Sequence, residues 1–320
     1  MQMTRSAILG LFFAAAIASS PAHAAHKVHA HHPRTAAIQV AITFDDLPVH
    51  ADLPPGISRA DVARSIIHTL KAHHAPPTYG FVNAIWLAKQ PDTAEVLRLW
   101  RAAGYPLGNH TLSHMDANAN PAAAFEQEIL ADEPALQKYM GGKDWHWLRL
   151  PYLNEGDTAE KRKEIGEFAA AHGYRIAQVT MSFDDWAYSD TYARCMAKGD
   201  KVAIDWMRDS WLDRASVDLM MAPKLSQLLY ERNIKHVLLM HIGAFDAVML
   251  PKLLDMYRQR GVKLISLPDA ESDPAYKNSG NQRFDWGGTM LAEQMVARNI
   301  PIPASDNRDD ALKQVDSLCK

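Results

Sequence analysis

Short apolar runs alternate along the chain with longer amphipathic runs, and the short run comes first in nearly every pair. The predicted strands are 38–44, 78–82, 105–108, 146–150, 174–179, 236–240 and 262–266. The predicted helices are one that begins at Ser58, then 92–104, 122–139, 158–171, 224–232 and 247–260. This alternation is typical of an α/β protein with a mainly parallel sheet or barrel, here of about seven strand–helix units.

Two stretches depart from the alternation. Residues 184–223 hold three of the eight tryptophans and favour extra helical structure, so we expect an inserted segment at about 187–223 within a barrel domain of 38–268. Residues 269–320 lack the pattern and are predicted to form a polar C-terminal tail.

The first residues have the character of an export signal. Arg5 precedes an apolar run at 7–18, and Ala-His-Ala at 22–24 has the small-x-small form of a cleavage site. The run is shorter than the ~20 residues of a membrane-spanning helix, so residues 1–24 are predicted to be a signal peptide, with no transmembrane anchor after cleavage. A flexible, histidine-rich lead-in is expected at 25–37. The protein is therefore expected to be exported, either to the periplasm or fully secreted.

Composition narrows the class of partner. The chain has 320 residues, 48% of them hydrophobic, and a net charge of −3, which does not suit a nucleic-acid-binding protein. The two cysteines, Cys195 and Cys319, could form an internal disulfide in an oxidising compartment, remain free or pair between chains. Nothing in the sequence indicates an oligomeric state.

Reactive side chains follow the predicted strands at their C-terminal ends. They are Asp45 and Asp46, His110 and His114, Arg149 and Tyr152, Asp185, and His241. In a parallel barrel all these ends lie on one face, which is where active sites of such folds are built.

The spacing of three of these residues suggests a metal site. His110 and His114 are four residues apart, which would place both imidazoles on one face of a helical turn. A nearby carboxylate, Asp46, would complete a set of two nitrogens and one oxygen that leaves coordination positions open. Its neighbour Asp45 would then be available to accept a proton.

Five ordered motifs between Ile38 and Ser266 resemble those of the NodB-like polysaccharide deacetylases, carbohydrate esterase family 4. The motifs are Thr43-Phe44-Asp45-Asp46, His110-Thr111-x-x-His114, Arg149-x-Pro151-Tyr152, Asp185-Trp186 and Leu239-x-His241. The resemblance implies a distorted (β/α)7 barrel, one divalent metal ion that is usually Zn²⁺, with Co²⁺ or Ni²⁺ as alternatives, and removal of N- or O-linked acetyl groups from a carbohydrate.

The resemblance also implies a role for each matched residue. Asp46, His110 and His114 would hold the metal. Asp45 would be the base, oriented by Arg149, and His241 would be the acid, held by Asp185. The substrate would contact Tyr152, Trp186 and Leu239. In the implied mechanism, water activated by the metal attacks the acetyl carbonyl while Asp45 takes its proton, and His241 protonates the leaving group.

Two positions differ from the family pattern. Leu47 and Leu153 stand where glycine is common, and the resemblance places both beside the substrate groove, where they would narrow it. Two alternatives therefore remain: a hydrolase of small cyclic amides or ureides on the same fold, and a non-catalytic metal- or glycan-binding protein.

Overall fold

Seven parallel strands form the centre of the protein. The computed structural model describes residues 37–281, 288–303 and 308–320; the predicted signal peptide and nearly all of the lead-in lie outside them. The strands are β1 Gln39–Leu47, β2 Tyr79–Val82, β3 Leu107–Asn109, β4 Trp147–Leu148, β5 Arg175–Ile176, β6 His236–His241 and β7 Lys263–Ile265. Each predicted strand is thus present, and the fifth is much shorter than the predicted 174–179.

Strand β1 is the most extensively paired strand. The sheet order is β5-β4-β3-β2-β1-β6, and β7 pairs with the first part of β1. Beyond β5, a parallel bridge between Met181 and Leu238 joins the chain to β6, so that the curled sheet returns toward its starting edge. This arrangement confirms the expected distorted (β/α)7 barrel.

Helices separate the strands, as the amphipathic runs predict. They are α1 Arg59–Ala72, α2 Ile85–Lys89, α3 Ala94–Ala102, α4 Ala122–Met140, α5 Ala159–Ala171, α6 Ser189–Lys198, α7 Lys201–Tyr230, α8 Ala244–Gln259, α9 Leu267–Glu271, α10 Met290–Ala297 and α11 Arg308–Ser317. Ser58 caps α1, since its hydroxyl accepts from the Asp61 N–H while the Asp61 carboxylate accepts from the Ser58 N–H.

The first strand explains why one of the two unusual leucines does not reach the groove. Val40, Ala41 and Phe44 of β1 are fully buried, and so is Leu47. A Cβ atom at Gly80 on the neighbouring strand would collide with the Leu47 side chain, so Leu47 fills the space that Gly80 leaves. The expectation that Leu47 borders the groove is therefore wrong, because this side chain packs into the core.

The two irregular stretches are largely helical. Residues 184–223 form a short 3-10 turn, α6 and most of α7. Helix α7 continues through Pro223 to Tyr230, so it contains all but the last two residues of the separately predicted helix 224–232. Beyond Asp269 the described parts also contain helices, and Met290, Leu291, Met295 and Val315 are buried in the core. The expectation of a merely polar tail is thus wrong.

Cys195 and Cys319 form a disulfide that joins α6 to the C-terminal end of the chain. Among the residues described, none of the helices has both the length and the apolar character needed to cross a bilayer.

Candidate active site

The ends of β1 and β6 place three reactive side chains together. Asp45 pairs in register with His241, and Asp46 follows directly, with a left-handed backbone (φ 63°) where the register between β1 and β2 shifts, between Phe44 and Leu47. A non-glycine residue with positive φ is uncommon and often marks a functional position. Parallel pairing of β1 with β6 therefore brings residues almost 200 positions apart to one edge.

His110 and His114 come together by a different route from the one their spacing suggests. Residues 110–114 form a loop rather than a helical turn, and Thr111 and His114 have positive φ values of 62° and 63°. The side chain of Asn83 donates to the carbonyl oxygens of His110 and Thr111, which holds the loop. The two imidazole rings lie 4.8 Å apart. The helical-turn expectation was wrong, although the proximity of the rings was predicted correctly.

Asp46 directs one carboxylate oxygen toward both imidazoles. Its Oδ1 lies 3.5 Å from Nε2 of His110 and 3.6 Å from Nε2 of His114. Among the described residues this oxygen is buried and makes no hydrogen bond. A buried carboxylate oxygen without a partner is costly unless it pairs with another charge or a metal ion. The geometry and this orphaned atom together fit a divalent cation bound by Asp46, His110 and His114.

The protonation of the two histidines also suits metal binding. Nδ1 of His110 lies 2.7 Å from the Arg149 carbonyl oxygen, which can only accept, so Nδ1 carries the proton and Nε2 is left as the ligand nitrogen. Burial, reinforced by the nearby His110, lowers the pKa of His114 to about 4. His114 can therefore offer a neutral nitrogen to a cation at neutral pH, and the hydrogen bond at Nδ1 leaves Nε2 of His110 facing the same position.

Arg149 fixes the other carboxylate of the pair. It is fully buried, and its Nη1 donates to Asp45 Oδ1 at 3.0 Å and to Oδ2 at 3.2 Å. Nε donates to the Ala177 carbonyl and Nη2 to the Thr43 hydroxyl, and the guanidinium lies 4.7 Å from the ring of Phe81. Asp45 is therefore held rigidly as an ion-paired acceptor at the end of β1.

His241 is held by Asp185. The carboxylate accepts from the His241 backbone N–H at 2.7 Å and lies 3.1 Å from the ring Nδ1. Burial alone would lower the pKa of His241, but the charge and hydrogen bond of Asp185, with the charges of Asp46 and Asp45, raise it to about 10. Behind Asp185, burial and the Asp185 charge raise the pKa of Asp246 well above its ordinary value. His241 is thus held as a proton donor.

A cavity of about 560 Å³ opens over this constellation. Eight of the ten predicted site residues line it, while Arg149 and Asp185 lie behind Asp45 and His241. Tyr152 and Trp186 are half exposed at its rim, Leu239 is buried in its wall, and Leu153 also lines it. Leu153 therefore does reach the groove, unlike Leu47.

Sequence reasoning missed two contributions to the cavity. His50 lines it and contacts Asp46; its signal in the sequence was a position four residues after a predicted ligand. Part of the cavity wall is formed by Met221 and Leu225 of α7 and by Ala292 and Ile302 near the C-terminus. The strand–helix pattern of the sequence assigned neither α7 nor the C-terminal region to the site.

The protein is a parallel α/β barrel that carries an aspartate–histidine cluster at the ends of its strands. Residues 32–177 match the family model described as polysaccharide deacetylase. The match covers just under half of the chain, so this part of the sequence is similar to polysaccharide deacetylase (NodB-type) domains.

Curated relatives match the chain only in part. A chitin deacetylase from Arthroderma benhamiae is 27% identical over 122 residues, which is 38% of this chain and 30% of the relative. A chitooligosaccharide deacetylase from Sinorhizobium fredii is 26% identical over 138 residues, or 43% of this chain and 58% of the relative. The chain thus covers less than two thirds of either relative.

Solved structures support the fold. A carbohydrate esterase family 4 pseudoenzyme from Bacillus anthracis is 15% identical, with a TM-score of 0.50 over 75% of this chain and 66% of that one. A mutant of a pseudoenzyme of this family with restored enzymatic activity reaches a TM-score of 0.52 at 15% identity, over 75% of this chain and 68% of the other. At such identities the likeness concerns the fold alone.

Proposed function

We propose that this chain is an exported, metal-dependent hydrolase that removes acetyl groups from an N- or O-acetylated carbohydrate. The observation that carries the proposal is Asp46 Oδ1, a buried oxygen without a hydrogen-bond partner in the described structure, facing Nε2 of His110 and of His114. The match of residues 32–177 to the polysaccharide deacetylase family model and the deacetylase names of the partial relatives support the same reaction class.

Asp46, His110 and His114 would hold the cation, with Zn²⁺ the first candidate because its usual ligands are imidazole and carboxylate. When bound, a divalent ion there supplies Lewis-acid polarisation of the acyl oxygen and makes water more acidic. Asp45, fixed by Arg149, accepts the proton of the attacking water.

His241 completes the reaction from the other side of the cavity. It donates its proton to the leaving amine or alcohol as the bond to the acetyl carbon breaks, and acetate is released. Asp185 keeps the ring oriented and favours its cationic form. The backbone N–H of Tyr152, at the cavity rim, is proposed to stabilise the oxyanion, and the half-exposed Trp186 to contact the sugar.

The disulfide supports the proposed export, because disulfides persist mainly in oxidising compartments. Apolar side chains line part of the cavity, namely Leu153, Met221, Leu225 and Ile302. These side chains favour a second candidate on the same site, hydrolysis of small amides or ureides.

A substrate panel tests the proposal and separates the two candidates. The full chain, loaded with zinc, is incubated with N-acetylated chito-oligomers, peptidoglycan fragments, O-acetylated sugars, and small cyclic amides and ureides. Release of acetate with a free amine or hydroxyl from the carbohydrates is the expected result. Turnover of the cyclic amides alone would replace the deacetylase proposal, and metal binding without any turnover would contradict both.

A further inference from the structure

The imidazole of His50 forms a hydrogen bond with the second carboxylate oxygen of Asp46, the proposed metal ligand. Its Nδ1 lies 2.8 Å from Asp46 Oδ2, and the Asp46 side chain is 17% exposed. An ionised carboxylate only accepts hydrogen bonds, so Nδ1–H of His50 is the donor. With Oδ2 engaged in this way, Oδ1 is the oxygen that remains to face His110 and His114.

The position of His50 is determined by the fold around it. The guanidinium of Arg59, in the first turn of α1, donates to the carbonyl oxygens of His50 and Ala51. One residue further, the N–H of Asp52 donates to the side chain of Asp190 at the start of α6. Two helices therefore anchor the loop that carries the imidazole.

The ring itself is enclosed on two sides. It packs against the His241 ring at a centroid distance of 4.7 Å and an angle of 34°. A Cβ atom at Gly243 would come within 3.3 Å of His50 Cδ2 and would also collide with Ser189 Oγ and Asp246 Oδ2. The absence of a side chain at Gly243 thus leaves the room in which His50 lies. Its Nε2 is buried and has no hydrogen-bond partner among the residues the structure describes.

We propose that His50 is a positioning residue of the metal site, which holds Asp46 through Oδ2 so that Oδ1 is presented to the cation. Partners that orient a ligand in this way commonly change metal affinity by about 10–100-fold when they are removed. The inference rests on the proposed metal site, and it adds a residue that lies outside the five motifs of the family resemblance.

The trio of Asp46, His50 and His241 is also close enough to hold an ion by itself. We favour the positioning role because Asp46 directs Oδ1 toward Nε2 of His110 and of His114, while its Oδ2 is taken up by the hydrogen bond from His50. The number of ions bound per chain distinguishes the two arrangements.

The test is a competition titration of the metal-free full chain with zinc and a chromophoric chelator. H50A is expected to bind zinc about 10–100-fold more weakly than the unaltered chain. H50N keeps an amide N–H two bonds beyond Cβ, where Nδ1 of histidine lies, and should recover most of the affinity. H50Q carries its N–H one bond further out and should not. H146A is the matched control, because His146 makes a comparable 3.0 Å contact with Asp144 far from the site.

Each outcome is decisive for the inference. Unchanged affinity in H50A, or equal recovery by H50N and H50Q, would overturn it, as would two ions bound per chain of which H50A loses one. If H50A fails to fold, as judged by thermal melting of the metal-free chain, the comparison of H50N with H50Q decides alone. D46A distinguishes failure of the proposed metal site from failure of the role of His50. Retained zinc affinity in D46A refutes the metal site itself, whereas loss of zinc affinity in D46A but not in H50A refutes only the role of His50.

Discussion

Replacing Arg149 by methionine should destabilise the protein far more than removal of a surface arginine. The side chain is fully buried beneath the site, and it is the ion-pair partner of Asp45, whose side chain is only 3% exposed. Methionine keeps much of the length and apolar contact of the side chain but removes the charge and all of its N–H donors. R149M thus leaves Asp45 buried without its cation, while the Thr43 hydroxyl and the Ala177 carbonyl each lose a donor.

Two estimates of the magnitude agree. Two unit charges 3.0 Å apart attract by about 5 kcal/mol at an effective dielectric constant of ~20. Removal of one partner of a buried ion pair typically costs about 3–5 kcal/mol, because the remaining charge stays buried. Since domains are commonly stable by about 5–15 kcal/mol, R149M should fold with a strongly reduced free energy of unfolding.

Urea unfolding of the metal-free chain, followed by circular dichroism, measures this loss. R98M is the matched control, because Arg98 makes an exposed ion pair with Glu95 and should cost less than about 1 kcal/mol. The double variant D45N/R149M removes both charges and should be more stable than the sum of the single changes predicts, with a coupling of at least about 1 kcal/mol.

A loss below about 1 kcal/mol in R149M, similar to that in R98M, would refute the reasoning, because it would mean that the buried Asp45–Arg149 ion pair contributes no more than an exposed one. A coupling near zero in the double variant would contradict it equally.

Three further changes probe other parts of the structure. Burial raises the pKa of Glu271 to about 8, so its contribution to folding is fully present below about pH 4.5 and is lost as the pH rises toward 8. Between pH 5 and pH 8 the free energy of unfolding in urea should therefore rise for E271Q relative to the unaltered chain by at least about 1 kcal/mol. No rise would contradict the raised pKa of Glu271. Replacing Cys195 and Cys319 together by serine should cost about 2–5 kcal/mol, seen as a lower melting temperature that no longer depends on reductant; an unchanged melting temperature would count against the bond. A292F should fill the cavity and raise KM for the substrate that the panel identifies, while zinc affinity in the chelator titration stays unchanged; an unaltered KM would show that the substrate does not use this wall.

The barrel itself was predictable because local pattern and fold agree along most of the chain. The middle of β1 is mostly apolar, with Val40, Ala41, Ile42 and Phe44, because the strand is buried on both faces. Ser58 with Asp61 marks the start of α1 correctly. The strand-end positions of Asp45, Asp46 and His241 followed from the parallel arrangement alone, because all strands of such a sheet end on the same side.

The prediction failed where tertiary packing outweighs local signals. The predicted helix 224–232 begins only after Pro223, but Leu219, Ala222 and Leu225 are buried on both sides of this proline, and their packing stabilises a continuous α7. The buried Met290, Leu291 and Met295 lie in a stretch too short for periodicity to distinguish a docked helix from a tail.

The sequence predicted which residue types form the site, but it did not predict the backbone conformation that brings them together. The spacing of His110 and His114 indicated proximity, but the positive φ values at Thr111 and His114 depend on contacts such as those of Asn83. Leu47 and Leu153 looked equivalent in the sequence, yet one faces the core and the other the cavity. His50 escaped notice because it follows Asp46 by four residues in a loop, where that spacing does not predict a contact.

The central claim is that two adjacent carboxylates have different tasks, with Asp46 holding a metal ion and Asp45 moving a proton. Zinc binding and acetate release are therefore measured on the same preparations of the unaltered chain, D45N and D46A, with D144N as the control for an exposed aspartate. The account predicts one zinc ion and turnover in the unaltered chain and in D144N, one zinc ion without turnover in D45N, and neither in D46A. Normal acetate release by D45N, or undiminished zinc binding by D46A, would contradict it.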